Sequence, residues 1–465
     1  MGAEVPFAQA LTPWLERARR QYADAVPGHA RVLTPSALAG LLDGLAQELA
    51  FVSAPTLLEL FLEYPERRWF TPRSSVAHGR FVADLLAGGL ERVLTERPEL
   101  ARLIDQVVDG WCDRIGRMAE RIASDRRLLE TRFAARLPFD RAVQVVDTAV
   151  ELGGAAGARV VYKDRPVGMD AAFAELLRWV NACQPSHDLL TPDTIDCGAF
   201  GWVAYVAQVP ADDPGARQAY LTRAGMLLCL VHALGGGDIH AGNVRVCGQH
   251  PVIIDGEVLL RPRRASEQGD ATSVLTTGWL PTAQEVARCG LAAEPHAARP
   301  QRWQDVGTDA IRRRPLRSPL GDTRPEVVAC FRHEPGQTVE RLCAGFQEIY
   351  ALIMARGLPL DVFAASAPRV LLRTSYLYQE AIERSLQPEA LVAAAARAEA
   401  IDGLADGVPR VTGAAAEAVA AAERSSMRQL QVPRFTAPAT GRQLFWQGEL
   451  LGEPFRSLRC SAPLA

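Results

Sequence analysis

The chain has no Cys-x-x-Cys pair, no apolar run long enough to span a bilayer and no marked excess of charge of either sign. Each absence removes a class of function. Nine cysteines are scattered without metal-ligand spacing. They read as a reduced, structurally ordinary set, not as a zinc site or a disulfide framework. The longest apolar run, Met226 to Leu234, contains His232 and is too short for a membrane span. The net charge is −3 and the sequence pI is near 6.3. That balance gives no electrostatic reason to expect nucleic acid or an anionic membrane as a partner. The opening "MGAEVPFAQALTPWLERARR" lacks the charged-then-apolar pattern of a secretion signal. A cytoplasmic location is the expectation.

With 465 residues, 48% of them hydrophobic, the chain is long enough to bury a large core. Residues 1–140 carry apolar side chains at three- and four-residue steps and read as a helical region. Residues 141–260 change character. "RAVQVVDTAVEL", "GGAAG" and "ARVVYKD" read as strand, tight turn and strand. "DAAFAELLRWVN" (170–181) reads as a helix with Asp170 as its N-cap. Residues 261–325 are polar, Arg- and Pro-rich, and read as a long loop region. Residues 326–465 return to a helical pattern, with an irregular tail.

One stretch carries chemistry. In "GDIHAGN" (237–243), Asp238 and Asn243 stand five residues apart, and Asp255 follows Asn243 by twelve, after the apolar Val252-Ile253-Ile254. Upstream, Lys163 ends the strand-like "RVVYK" and Glu175 lies on the next helix. Phosphoryl transfer from ATP needs a Lys on the phosphates, an Asp that accepts the proton of the attacking hydroxyl, and an Asn and a second Asp for Mg²⁺. The order Lys163, Glu175, Asp238, Asn243, Asp255 matches such a site, with a Lys163–Glu175 ion pair expected. Taken singly, each residue has an ordinary reading: Lys163 as a solvated strand residue, His240 as a loop histidine, Glu257 as an exposed acid. The ordered set is what argues for a nucleotide site.

"GDIHAGNVRVCGQHPVIIDGEVLL" (237–260) resembles the signature of class II lanthipeptide synthetases, in their N-terminal dehydratase domain. Asp238, His240, Asn243, Asp255 and Glu257 fill that pattern at every spacing. "VVYKDRP", "SVLTTGWLP", "WQDVGTD", "AGFQEIY", "RSLQPEAL" and "QVPRFTA" are similar to further blocks of the family. The resemblance runs from about residue 50 to 450. It implies an α+β fold built on a lipid-kinase-like, two-lobed core, with a helical N-terminal layer and helical C-terminal additions. The expected division is 1–140 helical, 141–260 nucleotide core, 261–325 activation-like loop, and 326–465 helical with a phosphate-elimination helix.

The resemblance also implies an activity. The family phosphorylates Ser or Thr of a ribosomal precursor peptide with ATP and Mg²⁺, then eliminates phosphate to leave a dehydroamino acid. Lys163, Glu175, Asn243, Asp255 and Glu257 are the implied nucleotide and metal residues, with Asn243 and Asp255 on the metal. Asp238 and His240 are implied in catalysis. "PRVLLRTSYLYQEAI" (368–382) resembles the phosphate-handling segment, giving Arg369, Arg373 and Ser375, where the family has Thr, together with Tyr378. The implied partners are the precursor with its leader peptide and a separate cyclase or other tailoring enzyme, since the family's zinc-binding cyclase domain is not matched in this chain.

The pattern breaks at one place. The family carries Gly-Asp-x-His ahead of the Lys. Here Asp140 or Asp147 takes the acid position, and Ala142 or Ala149 stands where the His would be. That substitution keeps two other readings open: a peptide or small-molecule kinase that stops at phosphorylation, and a leader-peptide-binding scaffold.

Overall fold

A computed structural model of the chain describes residues 5–26, 32–69, 74–146, 148–154, 157–260, 273–282, 289–292, 303–314, 335–403, 411, 415–439 and 441–455. Six helices come first: α1 (Thr12–Ala25), α2 (Pro35–Leu62), α3 (Val76–Asp84), α4 (Leu90–Glu96), α5 (Pro98–Ser124) and α6 (Arg126–Phe133). The reason for α5 is a stripe. Leu100, Leu103, Ile104, Val107, Trp111, Ile115, Met118 and Ile122 recur at three and four residues and are all buried. Trp111 Nε1 donates to the carbonyl of Leu41 on α2 at 3.3 Å. Thr34 caps α2 by accepting the Ala37 N–H at 3.3 Å, with Pro35 in the first turn. By length and composition α2 could cross a membrane, but 61% of its apolar window is buried inside the protein. It is a core helix, with α5 against it on one side and the first strand on another.

A five-stranded antiparallel sheet follows, in the order β1 (Phe139–Val146), β2 (Ala149–Gly154), β3 (Arg159–Lys163), β5 (Gly201–Ala204), β4 (Thr194–Asp196). The stretch expected to be one strand before "GGAAG" is thus two, turning back after Val146 so that Val146 pairs with Ala149. Polar Asp147–Thr148 interrupts the apolar run there. Helix α7 (Gly168–Ala182) connects β3 to β4. Strand β1 is docked on α2. A Cβ at Gly40 would lie 2.2 Å from the Ala142 carbonyl oxygen, Gln144 Nε2 donates to Glu48 Oε1 at 2.6 Å, and Phe139 exchanges backbone hydrogen bonds with Val32 and Thr34 at 2.9 and 2.8 Å.

Helix α8 (Pro214–Ala233) is capped by Asp213, which accepts the Ala216 N–H at 2.9 Å. It leads through 234–243 into the hairpin β6 (Val244–Cys247) and β7 (His250–Ile253). Of the expected loop region 261–325, the described pieces are short turns and a two-residue ribbon, β8 (Trp303–Gln304) on β9 (Arg312–Arg313). The rest lies outside the described residues. Helix α9 (Pro335–Arg356) then crosses α8 so closely that a Cβ at Gly345 would lie 1.9 Å from the Thr222 oxygen, and one at Gly225 2.0 Å from the Leu342 oxygen.

The C-terminal part adds a sheet to the helical pattern and irregular tail expected there. Helices α10 (Ser375–Arg384), α11 (Ala394–Asp402) and α12 (Ala415–Arg428) are accompanied by a four-stranded antiparallel sheet of β10 (Arg369–Val370), β11 (Phe435–Thr436), β12 (Leu444–Trp446) and β13 (Glu449–Gly452). Arg369 sits on a strand and not on a helix, because Pro368 precedes it and Phe435–Thr436 offers a ladder partner. The helix starts only at Ser375. The fold is α+β.

Candidate functional site

Strand β3 buries alternate residues and ends on Lys163, which is 6% exposed. A buried ammonium needs partners. Its Nζ lies 3.1 Å from Asp170 Oδ2 and donates to the carbonyl of Ile254 at 2.8 Å. Asp170 is in the first turn of α7, where the helix dipole favours a carboxylate. It is not the N-cap expected from the sequence. Its Oδ1 accepts the Gly256 N–H at 2.9 Å, and Arg165 lies 3.2 Å from Oδ2. Burial alone would raise the Asp170 pKa, but Lys163 and Arg165 hold it below the ordinary value.

The expected Lys163–Glu175 ion pair does not form. Glu175 is exposed. Five residues along a helix is a rotation of about 140° at 3.6 residues per turn, so Asp170 and Glu175 cannot face the same way. Asp170→Ala is therefore expected to cost about 3–5 kcal/mol, since it leaves a buried ammonium uncompensated. Glu175→Ala should stay within about 0.5 kcal/mol. Urea denaturation of the two variants reads the difference.

Asp238 has a φ of +63°, a left-handed conformation that Asp tolerates better than most residues. Its carbonyl accepts from the His240 N–H at 2.9 Å and from Asn243 Nδ2 at 2.9 Å. Buried Ile239 pins the turn by donating to the Thr277 carbonyl at 2.9 Å. The Asp238 carboxylate is partly exposed, 3.9 Å from His240 Nε2. His240 itself is exposed, and its Nδ1 accepts the Gly242 N–H at 3.0 Å. The hairpin register Val244↔Ile253 continues outward, with the Ile254 N–H donating to the Asn243 carbonyl at 2.9 Å. A continuous chain of hydrogen bonds thus runs from Lys163 through Ile254 and Asn243 to Asp238, and Asp255 is the next residue beyond Ile254.

The third part of the site is a cluster of arginines and acids. Arg165, 6% exposed, lies 2.7 Å from Asp255 Oδ1 and 3.5 Å from Glu257 Oε2. Glu257 also meets Arg369 NH1 at 2.6 Å and Arg434 NH2 at 2.7 Å. Burial would push the Glu257 carboxyl up, yet Arg165, Arg434 and Arg369 together bring it down to about 2. Burial and the neighbouring Glu257 raise Asp255 above the ordinary carboxylate value, against the pull of Arg165 and Lys163. Arg373 does not join this group. Its Nε donates to Glu423 Oε1 at 3.0 Å, and Tyr378 Oη donates to the same oxygen at 2.7 Å. The two arginines of "PRVLLR" thus take different carboxylates. Ser375 is half-buried at the first position of α10.

The Glu257 shift has a sign. A carboxyl with ordinary value 4.5 held at about 2 in the fold contributes stability above pH 4.5, lost as pH falls towards 2. About 3 kcal/mol is at stake, with Asp255, shifted the other way, offsetting part of it. Denaturant midpoints across this window should fall steeply for the wild type and shallowly for Glu257→Gln.

A comparison with protein families matches residues 98–438 to DUF4135, a domain of unknown function. The chain belongs to this family. It is also similar to the lacticin 481/lactococcin biosynthesis protein LcnDR2 of Lactococcus lactis subsp. lactis, 25% identical over 142 residues, which is 26% of this chain. The matched region spans 15% of that protein's length.

Within this DUF4135 chain, the sequence pattern missed three members of the cluster, Asp170 as the lysine's partner, Arg165 and Arg434, and it missed Glu423, which takes Arg373 and Tyr378 outside it. Arg165 had a signal, since it lies two residues after Lys163 and strand alternation puts i and i+2 on one side. Arg434 stood in a quoted family-like block but carried no role. Asp140 is exposed and Asp147 lies outside the described residues. Among the described residues, no group of three or more His, Cys, Asp or Glu is placed to hold a metal. The donors at hand are the Asn243 amide oxygen and the Asp255 carboxylate. Two oxygen donors suit Mg²⁺, which keeps several waters and takes its remaining ligands from phosphates.

Proposed function

We propose that this chain is an ATP-dependent dehydratase of lanthipeptide type, acting on Ser or Thr of a ribosomal precursor peptide. The observation that carries the reading is the hydrogen-bonded chain Lys163–Ile254–Asn243–Asp238, which gathers the phosphate-gripping, metal-binding and proton-accepting residue types at one hairpin mouth. The five-stranded antiparallel sheet, whose β3 leads directly into α7, also supports a kinase-like nucleotide lobe. The similarity to a protein named for lacticin 481/lactococcin biosynthesis points to the same class of peptide product.

Lys163, held by Asp170, would grip the nucleotide phosphates. Mg²⁺, held by Asn243 and Asp255, would supply charge neutralisation on those phosphates. Asp238 orients the peptide hydroxyl and takes its proton as the oxygen attacks the terminal phosphorus and the bond to ADP breaks. In the second step a base removes the α-proton, the Cβ–O bond breaks, and phosphate leaves. Arg369 stands beside Glu257, where it can receive the departing dianion.

A second reading, phosphorylation without elimination, is favoured by one observation. Ala142, one of the two positions where the family's His would stand, is a buried alanine in β1 and offers no group to give or take a proton. The test is a mass spectrum of the cognate precursor peptide after incubation with the protein and Mg-ATP, beside Asp238→Ala. Loss of water that depends on Asp238 supports the dehydratase. A stable phosphoryl adduct supports the kinase, and an unchanged peptide in the wild type sinks both.

A further inference from the structure

We propose that Arg434 and Arg369 form a two-armed site for a phosphate monoester dianion beside Asp255, held in place by Glu257. Arg434 has no place in the reaction as argued so far, and the inference rests in part on that reading. The two arginines come from the same ribbon. Val370 pairs with Phe435 and Arg369 with Thr436, so Arg369 on β10 and Arg434, the residue just before β11, bring two guanidiniums to a single carboxylate. The Arg369 N–H also donates to the Glu257 carbonyl at 2.7 Å, which fixes the ribbon's depth.

Charge argues that this cluster is built for an anion. Lys163, Arg165, Arg369 and Arg434 face Asp170, Asp255 and Glu257, four cations to three acids. Glu257 already meets Arg369 at 2.6 Å and Arg165 at 3.5 Å. Neutralising it does not require Arg434. Burial works against the charge on Arg434, so a third arginine there is a cost unless another anion arrives. Exposure shows from which side. The Arg434 side chain is 33% exposed, against 6% for Arg165. Arg369 supplies a second sign: its Nε is buried and makes no hydrogen bond. Orphaned N–H groups on a fork are what a phosphate oxygen satisfies.

Phosphate of this kind has two sources, the phosphorylated residue of the peptide and the terminal phosphate of the nucleotide. The experiment separates them with Arg434→Gln and Arg434→Lys. The first probe is inorganic phosphate, read as a thermal shift against chloride of equal ionic strength. Wild type should be stabilised, and Arg434→Gln should lose most of the shift, with exposed Arg132→Gln as the control that keeps it. The second is turnover of a synthetic precursor carrying phosphoserine, and the third is the KM for ATP. Arg434→Gln should slow phosphate loss from the phosphopeptide by about tenfold or more, with partial rescue by lysine, which keeps the charge but not the fork. A rise of that size in the ATP KM alone, with phosphopeptide turnover intact, would also support the site and assign it to the nucleotide. An undiminished phosphate shift with both rates intact overturns the proposal. If the wild type turns over neither ATP nor phosphopeptide while the phosphate shift still needs Arg434, the proposed function fails and the site stands. Should Arg434→Gln not fold, the lysine variant alone decides: a phosphate shift equal to wild type overturns the fork.

Discussion

Asp238→Asn is expected to lower phosphoryl transfer to the peptide about a thousandfold, the range for removal of a positioned general base, while leaving thermal stability unchanged. The asparagine variant is the cleaner one. Position 238 is left-handed, and Asn tolerates that conformation as Asp does, whereas alanine pays about 1 kcal/mol for it. Two Asp238 contacts that hold the loop together are made by its backbone carbonyl, to the His240 N–H and to Asn243 Nδ2. Both survive the substitution. Single-turnover kinetics with radiolabelled ATP would read the loss directly. Retention of activity within about tenfold would mean that no proton passes to this carboxylate, and the proposed reaction would have to be abandoned.

Gly345→Ala is expected to destabilise the protein by about 3 kcal/mol or more, the upper range for overpacking a close-packed contact. The added methyl would sit 1.9 Å from the Thr222 carbonyl oxygen, and main chain cannot turn aside as a side chain can. Gly225→Ala meets Leu342 across the same crossing at 2.0 Å and should behave alike. Gly110 on α5 offers the contrast. Its nearest neighbour would be the end of the Arg114 side chain at 3.7 Å, so Gly110→Ala should stabilise by about 0.5–1 kcal/mol through helix propensity alone. Thermal unfolding of the three variants should give opposite signs. Equal losses would mean that helical glycines here serve something other than helix proximity.

Much of this was legible because it is local. The α5 stripe is written in three- and four-residue steps, and the hairpin that gathers Asp238, Asn243 and Asp255 is written in their spacing. What stayed hidden depends on partners far along the chain. Glu175 was the partner expected for Lys163 and Asp170 only a helix cap, until the direction of α7 turned Asp170 towards the lysine. Arg369 and Arg373 looked like one pair, four residues apart on a helix. A strand partner more than sixty residues later, Phe435–Thr436, pulls the first onto a ribbon, and Glu423 claims the second. Arg434 became visible only when that ribbon brought it to Glu257. No periodicity announces contacts of this kind.

The seam between α2 and β1 bears on how the site would open. A glycine-bordered hairpin over a phosphate site is commonly pictured as a flap. Here its outer strand is fastened along its length, through Phe139, Ala142 and Gln144, to a helix that is itself sunk in the core. The hairpin is a fixed wall with the stiffness of the helix behind it. On the function proposed above, nucleotide and peptide would enter beside Asp238 and Arg434, which are each partly open to solvent.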